Sequence, residues 1–371
     1  MNDDRARARK PPIPLTLLTG FLGAGKTTLL NRLLRDPEFV GTAVIVNEFG
    51  DIGLDHLLVE QARDGIIELS AGCVCCTIRG ELVEALERLL RAIDNRRIGE
   101  VRRVVIETTG LADPAPILHV LTRHPYLGIR FNLDGIIAVV DAVHGGATLS
   151  AHEESVKQVA VADRIVLTKS DLNPDDSGGL VARLSRLNPG ALILDAGKGE
   201  AAAGALIGCG PFDAQTKGAD VTRWLAAEAF VEAHDHHHDV NRHDDHIATF
   251  ALIRDAAMEE SVLGEFLDRL AFEHAERLIR VKGLIGVADE PGRPAVIHGV
   301  QGLFSPPIRL EAWPDSDRRS RIVVIGRDLD RDAVERLFDA FVGQPRLDAP
   351  DRQALVDNPL AIPGVTAGLR R

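Results

Sequence analysis

Two features are missing from the sequence: a long apolar run and an excess of positive charge. No run approaches the roughly 20 residues that a membrane-spanning helix needs, and the basic start leads into prolines without a small-residue cleavage site. The chain carries 43 Lys and Arg residues against 55 Asp and Glu residues, a formal net charge of -12. Such a balance draws in neither phosphate polymers nor anionic lipids. We therefore expect a cytoplasmic protein that binds neither nucleic acid nor membrane.

Cysteine is also scarce, with four residues in 371, and three of the four are Cys73, Cys75 and Cys76. Adjacent cysteines pair with strained geometry, so this set does not form the disulfide framework of a secreted protein. Turn-forming residues 70–72 and Gly80 flank the group, which argues against side chains that merely fill a core. We interpret them as free thiols, available to a metal ion or, through their C-x-x-C spacing, to redox chemistry.

The first part of the sequence alternates short apolar runs with segments of helical period. At 371 residues the chain exceeds the roughly 250–300 that one hydrophobic core serves, so we expect two domains. The β-branched or leucine-rich runs predict strands buried on both faces. They are Ile13–Thr19, Ala43–Val46, Val104–Ile106, Ile136–Val140, Ile165–Thr168 and Leu192–Leu194. This alternation predicts a doubly wound, mostly parallel α/β domain.

The remaining sequence predicts a second, smaller domain set off by irregular segments. Residues 234–246 hold six histidines and four aspartates, a composition that does not form a core. Beyond them, strand-like runs and two helical periods, the first over Glu259–Arg280, predict an α+β domain. The expected divisions are a disordered tail (1–11), the α/β domain (12–208), a linker with the histidine-rich segment (209–246), the α+β domain (247–342) and an irregular tail (343–371).

A phosphate-binding loop is predicted at residues 20–27. The letters G-F-L-G-A-G-K-T fit the pattern G-x-x-x-x-G-K-[ST], after a predicted strand and before a predicted helix. The glycines let successive backbone N–H groups curl around phosphates, Lys26 reaches the terminal oxygens, and Thr27 ligates Mg²⁺. The candidate nucleotide-binding residues of this loop are Gly20, Gly23, Ala24, Gly25, Lys26, Thr27 and Thr28.

A second segment of the predicted phosphate site follows the predicted strand that ends in V-V-I-E. Glu107 lies at the end of this strand, where it can organise a magnesium-bound water or an attacking water. Gly110 follows in the same turn and can offer its backbone N–H to a γ-phosphate. Lys26 and Glu107 are therefore the candidate catalytic residues.

A base-recognition element is predicted at the end of a later strand. The letters T-K-S-D at residues 168–171 approximate the guanine motif N-K-x-D. In that motif the lysine stem packs on the base and the aspartate accepts hydrogen bonds from guanine, which assigns Lys169 and Asp171 to nucleotide binding. Thr168 replaces the usual asparagine, so the match is partial.

The three cysteines fit a metal site better than a redox site, because a redox pair would explain neither Cys75 nor the neighbouring nucleotide loop. Thiolates at this spacing suit a borderline cation such as Zn²⁺, and two or three of them leave coordination open for a metal that must be released. Glu48 and Asp51, in the loop after the second predicted strand, can bind Mg²⁺ or complete this metal site. The histidine-rich segment is interpreted either as a metal buffer or as a soluble linker.

In this order the elements resemble those of the CobW-like metallochaperone GTPases. The letters that carry the resemblance are G-F-L-G-A-G-K-T-T-L-L, V-N-E-F-G, G-C-V-C-C, V-I-E-T-T-G-L-A-D-P and L-T-K-S-D. The second domain is similar to the C-terminal module of that family through L-I-R-V-K-G, G-V-Q-G and I-G, which begin at Leu278, Gly299 and Ile325. The resemblance spans residues 13 to about 342.

The resemblance implies a P-loop domain that hydrolyses GTP with Mg²⁺ and holds a metal at Cys73, Cys75 and Cys76. The implied cargo is Zn²⁺, or Co²⁺ in the branch that serves cobalamin synthesis, and the implied partner is a client metalloenzyme. Val46 stands where some members carry a glutamate associated with metal binding, so a fourth protein ligand is not defined. A P-loop kinase of small molecules with a structural zinc is the alternative from another class.

Overall fold

The computed structural model describes residues 11–46, 78–172, 177–209 and 247–342. Within these ranges the chain forms two six-stranded sheets, one on each side of the undescribed residues 210–246. Among the described residues, no helix combines the length and the apolar character of a membrane span.

The first sheet is parallel throughout, with the strand order β2-β3-β1-β4-β5-β6. Its strands are β1 (Ile13–Gly20), β2 (Thr42–Val46), β3 (Arg103–Glu107), β4 (Phe131–Asp141), β5 (Arg164–Thr168) and β6 (Leu192–Asp195). Most of their residues are buried, as strands covered on both faces require. The direction of strand addition reverses beside β1, and open α/β sheets bind ligands at their carboxyl edge at such a point.

Helices cover both faces of this sheet, which confirms the doubly wound prediction. They are α1 (Lys26–Leu33), α2 (Ile78–Asp94), α3 (Ala115–Arg123), α4 (Leu127–Arg130), α5 (Gly145–Ala151), α6 (Glu153–Val161), α7 (Ser177–Leu187) and α8 (Ala203–Leu206). On one face Leu29 and Leu30 of α1 pack on Val139 of β4. On the other face α6 and α7 pack on Ala138 and Val140, because successive residues of a strand point to opposite sides.

The second domain is an antiparallel sheet with two helices on one face. The strands are β7 (Ile247–Arg254), β8 (Leu278–Ile285), β9 (Ala295–Val300), β10 (Leu303–Phe304), β11 (Ile308–Arg309) and β12 (Ser320–Arg327), and the helices are α9 (Glu260–His274) and α10 (Arg331–Val342). The helices meet through Phe266, whose ring centroid lies 5.5 Å from that of Phe338. This arrangement confirms the predicted α+β class.

One predicted element of the second domain is wrong at its end. The helix expected over Glu259–Arg280 stops at His274, and Leu278 and Arg280 lie in strand β8. Long-range pairing decides this boundary, because Arg280 stands in register with Ile325 of β12 and Val300 of β9. Leu278, which continued the apolar stripe of the predicted helix, lies instead in a central strand of the sheet.

The opposite face of the second sheet packs against the first domain. Ile279, Val300 and Ile325 join an apolar cluster that includes Ala160 and Val161 at the end of α6. This cluster contains side chains from both domains, so the two sheets share apolar contacts as well as having separate cores.

A buried carboxylate lies at the same interface. Asp163 is 1% exposed and accepts hydrogen bonds from Arg280, from Lys282 Nζ at 3.1 Å and from the Ile136 backbone N–H at 3.0 Å. Burial alone would raise the pKa of Asp163, but the charges of Arg280 and Lys282 overcome that effect and hold it well below its usual range. One ionised side chain of the first domain therefore neutralises cations of the second.

We expect Asp163→Asn to lower the free energy of unfolding at pH 7 by about 3–5 kcal/mol, because it leaves Arg280 and Lys282 without their carboxylate. The folded-state pKa of Asp163 is depressed, so its contribution is fully present above the unfolded-state pKa of about 3.9 and declines as the pH falls below it. Urea unfolding of both proteins between pH 3 and 7 measures the difference. Asp289→Asn, which removes an exposed carboxylate, is the control, and a difference that does not change with pH would contradict the assignment.

Candidate functional site

The predicted phosphate loop connects β1 to α1 and depends on backbone conformations that glycine favours. Gly23 and Gly25 have φ values of 72° and 94°, in the left-handed region. Gly20 has a φ of 141°, and a Cβ on it would lie 2.3 Å from the Val139 carbonyl oxygen. The loop therefore turns tightly over β4 and directs its backbone toward the N-terminus of α1. The N-cap residue Gly25 contributes no side-chain cap, so the first N–H groups of α1 face the loop.

Lys26 extends back over the beginning of the loop. Its ammonium donates to the carbonyl oxygens of Gly20 at 2.9 Å and Phe21 at 3.2 Å. The side chain is largely buried, so its charge is held inside the loop instead of in solvent. Thr28, the last candidate of the loop, is exposed on the first turn of α1.

Thr27 and Glu107 are in direct contact, although they lie 80 positions apart in the sequence. Thr27 Oγ1 donates to Glu107 Oε1 at 2.7 Å, and Glu107 is 4% exposed at the end of β3. Strand pairing places Glu107 opposite Leu18 of β1, just before the loop. A hydroxyl and a carboxylate oxygen are donors that suit Mg²⁺, so this pair fits the cation that the sequence predicts.

Gly110 packs directly on the phosphate loop. A Cβ on Gly110 would lie 2.4 Å from the Leu22 backbone nitrogen, a distance that no side chain can adopt without moving the loop. The preceding Thr108 ties the segment to β1, because its N–H donates to the Leu18 carbonyl oxygen at 2.9 Å and its hydroxyl donates to Thr19 Oγ1 at 2.9 Å. The structure thus brings Gly110, Glu107 and the loop together.

Gln158 on α6 is a contributor that the sequence analysis missed. Its Nε2 donates to the carbonyl oxygens of Gly110 and Ala112, each at 3.1 Å, and the residue is 1% exposed. The signal in the sequence was a polar side chain on the apolar face of a helix. Because α6 is fixed in the core, this side chain holds the segment after Glu107 at a defined distance from the helix.

The predicted base motif is attached to the same loop. Thr168 Oγ1 donates to the Ala24 carbonyl oxygen at 2.6 Å, and Lys169 Nζ donates to the Gly23 carbonyl oxygen at 2.8 Å. Lys169 has a φ of 58°, and Asp171 is exposed in the short helix that follows. Thr168, the departure from the usual motif, therefore anchors the end of β5 to the loop.

Asp141 is a second residue that the sequence analysis missed. Its Oδ2 accepts from Lys169 Nζ at 2.6 Å, and its Oδ1 accepts from the backbone N–H of Val143 at 2.8 Å. Burial raises the pKa of this carboxyl, but the hydrogen bonds from Lys169, Val143 and His144 outweigh burial and lower it. The ionised form of Asp141 fixes the Lys169 ammonium over the loop.

A cavity of about 220 Å³ opens beside the loop. Its lining includes loop residues 20–24 together with Asp141, Gln158 and Lys169, but not Lys26, Thr27 or Glu107. The β4 residues in this lining come from both faces of the sheet, because Ala138 and Val140 pack under α6 and Val139 packs with α1. The cavity therefore shares the beginning of the phosphate loop and Lys169 with the predicted nucleotide site, whereas the Thr27–Glu107 pair lies outside its lining.

Five predicted site residues lie outside the described residues. They are Glu48, Asp51, Cys73, Cys75 and Cys76. In the part of the chain that the structure describes, no group of three or more His, Cys, Asp or Glu side chains could hold a metal ion. The metal site at the cysteines therefore stays a prediction.

Two family models match the chain. The model described as "CobW/HypB/UreG, nucleotide-binding domain" matches residues 14–195, and the model described as "Cobalamin synthesis protein cobW C-terminal domain" matches residues 247–342. The first match includes the phosphate loop, Glu107 and most of the first sheet. The second match corresponds to the antiparallel sheet and its two helices.

The chain is also similar to proteins of known role along nearly its whole length. The zinc chaperone YjiA of Escherichia coli is 35% identical over 327 residues, which cover 88% of this chain and 98% of that protein. The zinc chaperone CobW of Sinorhizobium sp is 33% identical over 374 residues, covering 91% and 99%. The crystal structure of the Zn(II)-bound YjiA GTPase from E. coli gives a TM-score of 0.61 at 29% identity, over 89% of this chain and 99% of that chain.

We expect Gly110→Ala to raise the Kd of a fluorescent guanine nucleotide at least about fivefold, because overpacking against Leu22 costs about 1–3 kcal/mol and displaces the loop. Gly146→Ala is the matched control: it lies in α5 with open space around its Cβ position, and we expect it to stabilise the fold slightly. Fluorescence titration measures both. Equal Kd values for the two variants would show that the close approach of Gly110 does not shape the site.

Proposed function

This chain belongs to the CobW/HypB/UreG family, and on that premise we propose that it is a cytoplasmic, GTP-hydrolysing metallochaperone that binds Zn²⁺ and delivers it to a client metalloenzyme. The observation that carries the proposal is the contact between Thr27 and Glu107 beside Gly110, within a chain that zinc chaperones match over both domains. This constellation suits phosphoryl chemistry, and the family relation supports metal as the cargo.

The phosphate loop performs the nucleotide step. Its backbone N–H groups and the N-terminus of α1 bind the phosphate oxygens, and Lys26 turns from the carbonyl oxygens of Gly20 and Phe21 toward the β- and γ-phosphates. Gly110 offers its N–H to the γ-phosphate, and Glu107 orients the attacking water. Thr27 and Glu107 would hold Mg²⁺, which neutralises charge on the phosphates when it is bound.

Guanine recognition is assigned to the end of β5. The Lys169 stem packs along the base, and Asp171 accepts from the ring N–H and the exocyclic amine of guanine. The two hydrogen bonds that join Thr168 and Lys169 to Ala24 and Gly23 keep this base site at a fixed distance from the phosphate loop. The nucleotide is thus bound at both ends by one connected unit.

The metal step is assigned to the segment between β2 and α2. This segment carries Cys73, Cys75 and Cys76, whose thiolates suit Zn²⁺, with Glu48 or Asp51 as candidate further ligands. It leaves the sheet at Val46, which pairs with Glu107 in the parallel register. A change at Glu107 on nucleotide binding is therefore transmitted first to the start of the metal-bearing segment.

Coupling between GTP and metal must be reciprocal. If GTP raises the affinity for Zn²⁺, then Zn²⁺ raises the affinity for GTP by the same factor. A thousandfold difference in metal affinity between the GTP and GDP states corresponds to about 4 kcal/mol. Hydrolysis then lowers the metal affinity and releases the cargo to the client.

We expect the Kd for Zn²⁺, measured by competition with a chelator, to differ at least about tenfold between the GDP state and the state with a non-hydrolysable GTP analogue. Cys75→Ser should weaken binding in both states and reduce the difference, because it removes a thiolate ligand. A parallel titration with Co²⁺ tests the cobalt alternative. Equal Zn²⁺ affinities in the two nucleotide states would leave a structural zinc as the better account, and a phosphorylated small molecule would favour a kinase.

We expect Glu107→Gln to slow GTP hydrolysis by about a hundredfold, because the amide removes the negative charge beside the reacting phosphate. The amide oxygen can still accept from Thr27, so the Kd for GDP measured without Mg²⁺ should change little. Phosphate release under single-turnover conditions measures the rate. Glu84→Gln, which changes an exposed carboxylate on α2, is the control, and equal rates for the two variants would remove Glu107 from the mechanism.

A further inference from the structure

One side chain of the second domain reaches the segment that follows Gly110. Gln301 Nε2 donates to Asp113 Oδ1 at 3.3 Å, and the same carboxylate accepts from the Ala115 backbone N–H at 2.9 Å. Asp113 thus connects the beginning of α3 with the second domain. Asp113 lies directly after Ala112, and Gln158 Nε2 donates to the Ala112 carbonyl oxygen.

The turn that presents Gln301 has an unusual conformation. Gln301 joins β9 to β10 with a φ of 50°, a value that is uncommon for any residue other than glycine. The following Gly302 has a φ of 71°, and a Cβ on it would lie 2.9 Å from Ala275 Cα. The Gln301 N–H donates to the Ile279 carbonyl oxygen at 3.0 Å. The turn is therefore fixed to its own domain in a strained conformation that directs one amide toward Asp113.

A second route joins Asp113 to the second domain through α6. Lys157 Nζ lies 3.6 Å from Asp113 Oδ2 and 3.4 Å from Glu153 Oε1, and Glu153 also forms an ion pair with Arg327 of β12. These groups are partly exposed, so each pair contributes little by itself. The hydrogen bond from Gln301 is the direct connection.

We propose that Gln301 is a positioning residue that holds residues 110–113 in the conformation in which the Gly110 N–H faces the γ-phosphate. The inference rests on the proposed nucleotide function. In the structure Gly110 packs against Leu22 while Gln301 is bonded to Asp113, so the bond favours the arrangement next to the loop. GDP has no γ-phosphate and does not require this arrangement. The second domain therefore discriminates between GTP and GDP without contacting either.

The test compares the Kd values of fluorescent GDP and of a fluorescent non-hydrolysable GTP analogue. Gln301→Ala removes the donor, and Gln301→Glu places a second carboxylate against Asp113. The double variant Gln301→Glu with Asp113→Asn removes the like-charge contact and lets the amide at position 113 donate to the carboxylate at position 301. Asp113→Asn alone is measured beside it, because the side chain at position 113 also accepts from the Ala115 N–H and lies near Lys157. Thr249→Ala is the matched control, because Thr249 Oγ1 donates across the same interface to the Leu187 carbonyl oxygen at 3.1 Å, away from residues 110–113.

We expect both single variants of Gln301 to raise the Kd of the GTP analogue about three- to tenfold, the effect of losing one hydrogen bond, with the Kd of GDP unchanged. The double variant should recover part of the loss. A merely structural role for Gln301 would instead shift the Kd values of GDP and of the GTP analogue by the same factor. If Gln301→Ala leaves the ratio of the two Kd values equal to that of Thr249→Ala, the positioning role is overturned and the nucleotide function stands. If the wild-type protein binds neither nucleotide, the proposed function fails as well.

Discussion

The close approach of three backbone segments at the carboxyl end of β1 is the constraint on which the rest of the site depends. Gly20 lies against Val139 of β4, and Gly110 lies against Leu22 of the loop, at distances that exclude a Cβ atom at either glycine. This packing brings the ends of β1, β3 and β4 close enough for Thr27 to bond Glu107. The glycines permit this close packing, and polar side chains then hold the loop in place. Thr168 and Lys169 attach the loop to the end of β5.

The interface between the domains uses two kinds of contact with different consequences. The apolar contacts around Ile279, Val300 and Ile325 are non-directional, so they favour association without selecting one orientation. The Asp163 cluster is directional, because one carboxylate accepts from its own domain through Ile136 and from the other through Arg280 and Lys282. Separating Asp163 from Arg280 would leave two buried charges unpaired, so orientations that keep this ion pair are favoured. This fixed orientation places Gln301 next to Asp113.

The elements that could be predicted from the sequence are those whose geometry is local. The loop from Gly20 to Thr27 contains its own glycines, lysine and helix start, and Glu107 follows from the end of a buried strand. Contacts between distant positions had no such signal: Gln158 meets Gly110 across 48 positions, and Arg280 meets Asp163 across 117. The first three residues of β8 were predicted as helix because Leu278 continued a helical spacing, whereas pairing with β9 and β12 determines their conformation. The roles of Glu48, Asp51 and the three cysteines depend on residues 47–77 and stay predictions.

The position of β1 in the sheet also bears on how the protein is synthesised. Its neighbours β3 and β4 are translated much later than the loop that β1 carries, and the bonds from Thr168 and Lys169 come later again. Such long-range pairing delays completion of the sheet until most of the domain has left the ribosome. A nascent chain that ends before β5 therefore carries the complete motif without the bonds from Thr168 and Lys169. The loop gains all of these partners only when β5 has paired with β4.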